Sequence, residues 1–184
     1  RTELINLEIT VILKNIKATT EYLPKSFYIK EGNFEFENEK MWFRKFFANY
    51  GKSDFALNGY LLNTINYFIE RKGTLHGKFK LKSRYILIDE FMALKDGDNS
   101  KKSIEVDYAK VENPKSSGVV IIPKNLDVSL EADAKNVEFK GLNLNNLFGL
   151  ASVNKGEVFL KNTSFDVVGS RMKIDARYQD ESPL

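Results

Sequence analysis

Two stretches of this chain, one at its start and one in its last third, alternate in the same way and break the alternation in the same way. Leu7, Ile9, Val11 and Leu13 alternate with Glu8, Thr10, Ile12 and Lys14, and past Asn15 the apolar phase moves by one residue to Ile16 and Ala18. Val128, Leu130, Ala132 and Ala134 alternate with Ser129, Glu131, Asp133 and Lys135, and past Asn136 the phase moves to Val137 and Phe139. Side chains of a strand point to opposite faces with period two, so a one-residue shift requires a bulge or a bend. The same shift after the same Lys-Asn in both stretches indicates a repeated β-unit.

Further blocks extend the repeat. Gly32, Phe34, Phe36 and Asn38 match Gly156, Val158, Leu160 and Asn162 in spacing, and Ser53, Phe55, Leu57 and Gly59 match Ser170, Met172, Ile174 and Ala176. Between these blocks the first copy carries an additional aromatic stretch with Met41, Trp42, Phe43, Phe46 and Phe47. Internal repeats build units that stack on one another. The expected organisation is a first β-repeat unit over 1–94, a polar mobile linker or loop over 95–118 and a second β-repeat unit over 119–184.

Nearly every other segment also reads as strand. Over 63–69, Ile65, Tyr67 and Ile69 alternate with Thr64, Asn66 and Phe68. Over 74–83, Leu75, Gly77, Phe79 and Leu81 take one side while His76, Lys78, Lys80 and Lys82 take the other, and 85–88 continues that strand after a break near Ser83 and Arg84. Polar turns at intervals of roughly ten residues fit an antiparallel meander. The one helical stretch is Asp89-Glu90-Phe91-Met92-Ala93-Leu94, with Asp89 as its N-cap. The expected fold is therefore mainly β: repeated antiparallel β-units forming an extended twisted or curved sheet, with at most one or two short helices. The 14 Phe and 8 Tyr suit such pleated, half-buried surfaces.

Composition narrows the function classes. Lys and Arg number 28 against 25 Asp and Glu, a net charge of +3, which is too small to imply a nucleic-acid partner. The row Lys78, Lys80, Lys82 lacks interleaved aromatics on its own side, so it reads as a solvated face, or as lysines guarding an edge strand, before it reads as a nucleic-acid or headgroup site. Absence of cysteine excludes disulfides and thiolate metal sites. No apolar run is long enough to span a membrane as a helix, and the opening Arg1 suggests an excised or processed fragment. His76 is the single histidine, Asp89 and Glu90 are sequence neighbours, and Asp96-Gly97-Asp98-Asn99 lacks calcium-loop spacing, so neither a catalytic residue, a metal nor a cofactor is expected. The chain does not read as an enzyme.

Two segments carry a family resemblance. Gly77-Lys78-Phe79-Lys80-Leu81-Lys82-Ser83 followed by Ile88-Asp89-Glu90-Phe91-Met92-Ala93-Leu94, then a polar linker, then the restart Ile122-Pro123-Lys124-Asn125-Leu126-Asp127, resembles the AsmA-like proteins of bacterial cell envelopes. The closing block over 156–176 resembles the same family, with Gly169-Ser170 where a double Gly is usual and Ala176 where a Gly is often found. The resemblance implies a periplasmic protein held in the inner membrane by an N-terminal helix, acting in outer-membrane assembly and related to bridge-like lipid transporters. The partners it implies are phospholipid or another acyl-chain lipid, other envelope proteins, and the membrane through an anchor outside this chain.

An acyl chain gains about 0.8 kcal/mol for each CH₂ removed from water, so a continuous apolar strand face is what it requires. Phe34, Phe36, Phe55, Leu57, Ile65, Tyr67, Ile69, Phe79 and Leu81 are the candidate lipid-binding residues of the first unit. A sheet without helices must cover such a face with another sheet, a partner or a ligand. Two readings stay open at this level: a lipid-contacting groove, or a closed core in a structural or adhesive β-repeat module that binds a protein partner.

Overall fold

The structure is a computed structural model that describes residues 8–19, 23–92 and 122–179. Nine strands make one sheet in sequence order: β1 (Glu8–Ala18), β2 (Phe27–Glu37), β3 (Lys40–Tyr50), β4 (Ser53–Leu62), β5 (Leu75–Leu87), β6 (Leu126–Phe139), β7 (Leu142–Asn154), β8 (Glu157–Val167) and β9 (Ser170–Gln179). Neighbours pair antiparallel except β5 and β6, which pair in parallel over the length of β5. The sheet is thus two antiparallel runs, β1–β5 and β6–β9, edge-joined by one parallel seam. The fold is mainly β, as the alternation requires. Among the described residues its helical parts are α1 (Thr64–Phe68) and a 3₁₀ turn at Ile88–Phe91. The polar segment 95–118, and Ala93 and Leu94 of the expected helix, lie outside the described residues.

The phase shifts read from the sequence are features of the strands. On β6 the inward positions pass from Ala134, fully buried, to Val137, 4% exposed, and both sit in one cluster with Leu81 and Ile86. On β1 the shift occurs at Asn15, which adopts a left-handed φ of 55°. Asn136 keeps an ordinary φ, and within the strands of the second run the left-handed residues are Asn146 on β7 and Asn162 on β8, each at a bulge. Asparagine is the side chain that tolerates this conformation best after glycine, because its short amide bonds locally.

The same shift crosses β5. Ser83 and Ile86 are both buried, so the expected break near Arg84 is a slip inside one thirteen-residue strand. Asp54 on β4 makes the slip tolerable: its carboxylate accepts from the backbone N–H of Arg84 at 3.1 Å and of Tyr85 at 2.9 Å. Both donors would otherwise lose their ladder partners.

Three expectations are corrected. Residues 63–69 form no strand; they turn into α1, because Ile65, Phe68 and Ile69 also satisfy the i, i+3, i+4 spacing of a helix. Gly32 and Gly156 head blocks that are not equivalent, since Phe34 and Phe36 belong to the second strand of the first run while Val158 and Leu160 belong to the third strand of the second run. Alternation is common to every strand, so equal spacing matched unlike strands. Lys78, Lys80 and Lys82 guard no edge, because β5 is the middle strand of nine.

Asp89 and Glu90 tie the seam together. Glu90 accepts from the backbone N–H of Lys52 at 2.9 Å and from Lys25 Nζ at 3.1 Å, gripping the β3–β4 turn. Asp89 accepts from the backbone N–H of Lys140 at 2.9 Å, gripping the β6–β7 turn. Phe91 stacks on Tyr50 at 4.5 Å, and burial holds the Tyr50 phenol above its ordinary pKa.

Candidate functional site

The strand register defines an apolar face that runs from one edge of the sheet to the other. Reading partner to partner from β1 to β9, one row is Val11, Phe34, Phe43, Gly59, Phe79, Leu130, Ala151, Leu160 and Ala176. A second row is Ile9, Phe36, Met41, Leu61, Gly77, Val128, Val153, Val158 and Tyr178. Neither row contains a charged side chain. At about 4.8 Å between strands, eight spacings span about 38 Å, well over the ~15 Å depth of one bilayer leaflet's hydrocarbon.

The opposite face is mixed, with charged side chains among exposed apolar ones such as Ile12, Phe47, Phe148 and Leu150. Its corresponding row reads Thr10, Glu35, Trp42, Tyr60, Lys78, Ser129, Ser152, Phe159 and Arg177. Across the parallel seam the basic row of β5 meets acids of β6: His76 Nδ1 lies 3.1 Å from Asp127, and Lys80 Nζ lies 3.8 Å from Glu131. The lysine row is therefore offset by an acidic row beside it. These pairs are solvent-exposed, where each contributes about 0–1 kcal/mol. Lys40 Nζ sits 3.9 Å from the Trp42 ring and 4.1 Å from that of Tyr60, so these two rings share a cation.

Six of the nine sequence-derived candidates lie on the apolar face. Phe34 and Phe79 share the first row and Phe36 stands in the second. Leu57 and Leu81 are direct partners in a third, and Phe55 pairs with Ala48 beside them. Ile65, Tyr67 and Ile69 do not extend this face as a strand. Tyr67 packs from α1 onto the cluster of Leu61, Leu75 and Phe79, whereas Ile65 and Ile69 point to solvent at 54% and 76% exposure.

Phe43 and Phe46, absent from the sequence-derived set, prove central. Phe43 meets Phe34 edge-on at 4.9 Å, Phe46 at 5.6 Å and Phe79 at 5.1 Å. A bulge on β3 between them interrupts the alternation, which hid them in an aromatic stretch with no clear period. The residues of the second run, Leu130, Ala132, Val137 and Leu160 among them, continue the same face and were legible as alternation.

The middle of the face is well packed and its margins are open. Phe34, Phe79, Leu81 and Val137 are buried by their lateral neighbours, while Ile9, Ile16, Leu142 and Met172 are each more than 40% exposed. The clusters beneath the surface join adjacent strands, with Tyr67 from α1 and with Ile88 and Phe91 from the 3₁₀ turn added at the ends. Among the described residues no second sheet lies over the face, and no group of three His, Asp or Glu side chains comes together to hold a metal. Among the described residues this face is a continuous surface of apolar side chains, of the kind that elongated apolar matter can lie on. No family model, curated protein or solved structure gives a significant match to the chain.

Proposed function

We propose that this chain is a lipid-contacting, non-enzymatic piece of an AsmA-like envelope protein, taking acyl chains of phospholipid along its apolar face. In this reading the full-length protein is held in the inner membrane, extends through the periplasm and serves outer-membrane assembly. The observation that carries the proposal is the uncharged apolar row from Val11 to Ala176, with charges confined to the opposite, mixed face and no second sheet layer among the described residues. A single-layer sheet with one apolar face is unstable in water unless something apolar lies on it. An acyl chain fits that need, since each CH₂ it buries contributes about 0.8 kcal/mol and none needs a specific polar partner.

The test is mass spectrometry of organic extracts from the purified chain, with uptake of an anilinonaphthalene dye measured on the folded protein. Stoichiometric phospholipid, displaced by added fatty acid in step with the dye, is the expected result. Absence of both lipid and dye uptake from folded protein would sink the proposal.

A second reading, a structural or adhesive module that pairs with a protein, draws on β1 and β9, the outermost strands among the described residues. An unpaired strand edge is a template for another strand. That reading expects no bound lipid and a stoichiometric protein complex.

A further inference from the structure

The connection between β4 and β5 holds three large apolar side chains out into solvent within five residues: Ile65 at 54%, Phe68 at 59% and Ile69 at 76% exposure. The loop that carries them is built firmly. Asn63 Nδ2 donates to the carbonyl of Thr74 at 2.9 Å, Asn66 Nδ2 to Asn63 Oδ1 at 2.7 Å, and the backbone N–H of Lys72 to the carbonyl of Asn66 at 3.0 Å. Thr64 is buried, and Tyr67 turns back onto the apolar face beside Leu61 and Phe79. One helical turn therefore links an outward apolar tip to the floor of the sheet.

Cations stand at this end of the strands, Lys124 with its side chain against the Gly156 turn. Arg71 and Lys72 follow the tip in the chain, and Lys124 neighbours Asn125, whose carbonyl accepts from Leu75 N–H at 3.0 Å and whose side chain meets the Tyr67 hydroxyl at 3.4 Å. Arg71, Lys72 and Lys124 are all exposed and take part in none of the ion pairs among the described residues. Glu70 is the one acid in the loop. Exposed apolar side chains flanked by unpaired cations are what an anionic bilayer surface binds: hydrocarbon receives the first and headgroup phosphates the second.

We infer that this end of the sheet docks on an anionic lipid bilayer, with Ile65, Phe68 and Ile69 entering the interface and Arg71, Lys72 and Lys124 meeting the headgroups. The inference deepens, and in its purpose rests on, the lipid-contacting reading, since it sets the strand-end rim of the apolar face, midway along its rows, against the membrane from which acyl chains would come. Docking itself is measured separately from lipid carried on the face.

The experiment is co-sedimentation of the chain with phosphatidylethanolamine–phosphatidylglycerol vesicles and with neutral phosphatidylcholine vesicles. Wild-type protein is expected to bind the anionic vesicles, more weakly as salt rises. Phe68→Ser combined with Ile69→Ser lowers that affinity about tenfold or more, with circular dichroism and thermal midpoint unchanged because both side chains are exposed. Lys72→Glu combined with Lys124→Glu lowers affinity for anionic vesicles by about tenfold or more and leaves neutral vesicles unaffected. Failure of the wild type to sediment with either vesicle overturns the inference. So does undiminished binding by the folded Phe68→Ser, Ile69→Ser protein, or self-association through the tip that vesicles do not reverse. Phospholipid extracted from the Phe68→Ser, Ile69→Ser protein at wild-type amount would leave the apolar-face reading standing whatever the vesicles show. Vesicle binding by a wild type that carries no lipid would remove the face reading and keep the docking.

Discussion

Phe43 and Phe79 lie on strands that are not neighbours, yet their rings meet edge to face at 5.1 Å because Gly59 stands between them without a side chain. A Cβ at Gly59 would fall 2.7 Å from the Phe79 ring and closer still to the carbonyl oxygen of Lys78. The ring can shift, but the backbone of the next strand cannot. Gly59→Ala is therefore expected to destabilise the chain by about 1–3 kcal/mol. In urea unfolding the midpoint falls while the slope stays as in the wild type.

Glu90 is nearly buried, at 8% side-chain exposure, with the N–H of Lys52, the hydroxyl of Ser53 and the ammonium of Lys25 around it. Replacing it with alanine strands a backbone donor in the β3–β4 turn. A loss of about 1–3 kcal/mol is expected. Hydrogen exchange at Lys52 should accelerate in Glu90→Ala, while the β7–β8 turn exchanges as before.

Tyr85 donates its hydroxyl to Glu138 at 2.6 Å across the parallel seam, and that bond, with the carboxylate charge behind it, raises the phenol pKa to about 12. A raised folded-state pKa means the bond's stabilisation is complete below the unfolded value near 10 and is lost as pH rises through about 12. Between those values the wild type should lose stability relative to Tyr85→Phe, whose curve stays flatter. Tyrosinate absorbance should count one fewer late-titrating phenol in the variant, with Tyr50 still titrating late in both.

Charge on the apolar face should act differently at its margin and its middle. Ile16 and Met172 are 41% and 44% exposed, so Ile16→Asp or Met172→Asp is expected to cost less than about 1 kcal/mol while reducing dye uptake. Phe79 and Leu81 are 9% and 7% exposed, so Phe79→Glu or Leu81→Glu buries a charge and unfolds the chain. Equal effects at all four positions, read by circular dichroism, would mean that margin and middle do not differ.

Alternation made the strands legible, and with them the sheet's two-faced character. Leu75, Phe79 and Leu81 against His76, Lys78 and Lys80 could satisfy a half-buried strand and little else, and the structure has that strand. The phase shifts after Asn15 and Asn136 were legible for the same reason, since period two leaves no other way to keep both apolar sets inside. At 63–69 the signal failed: Ile65, Phe68 and Ile69 suit a helical turn as well as Ile65, Tyr67 and Ile69 suit a strand. Length alone did not decide between them, and Asn63, bonded to Thr74, did. Phe43 and Phe46 were obscured because a bulge on β3 removes the very period by which an inward residue is recognised.

The sequence by itself determined that this chain makes strands and which side of each strand is apolar, because side-chain direction follows from local backbone geometry. Strand order, the parallel seam between β5 and β6, and the absence of a covering sheet among the described residues were decided only in the tertiary structure. Those depend on which edges meet. Nothing in an alternating pattern says whether Phe79 will lie beside Leu130 or beneath a second layer, since both would bury the same side of the strand.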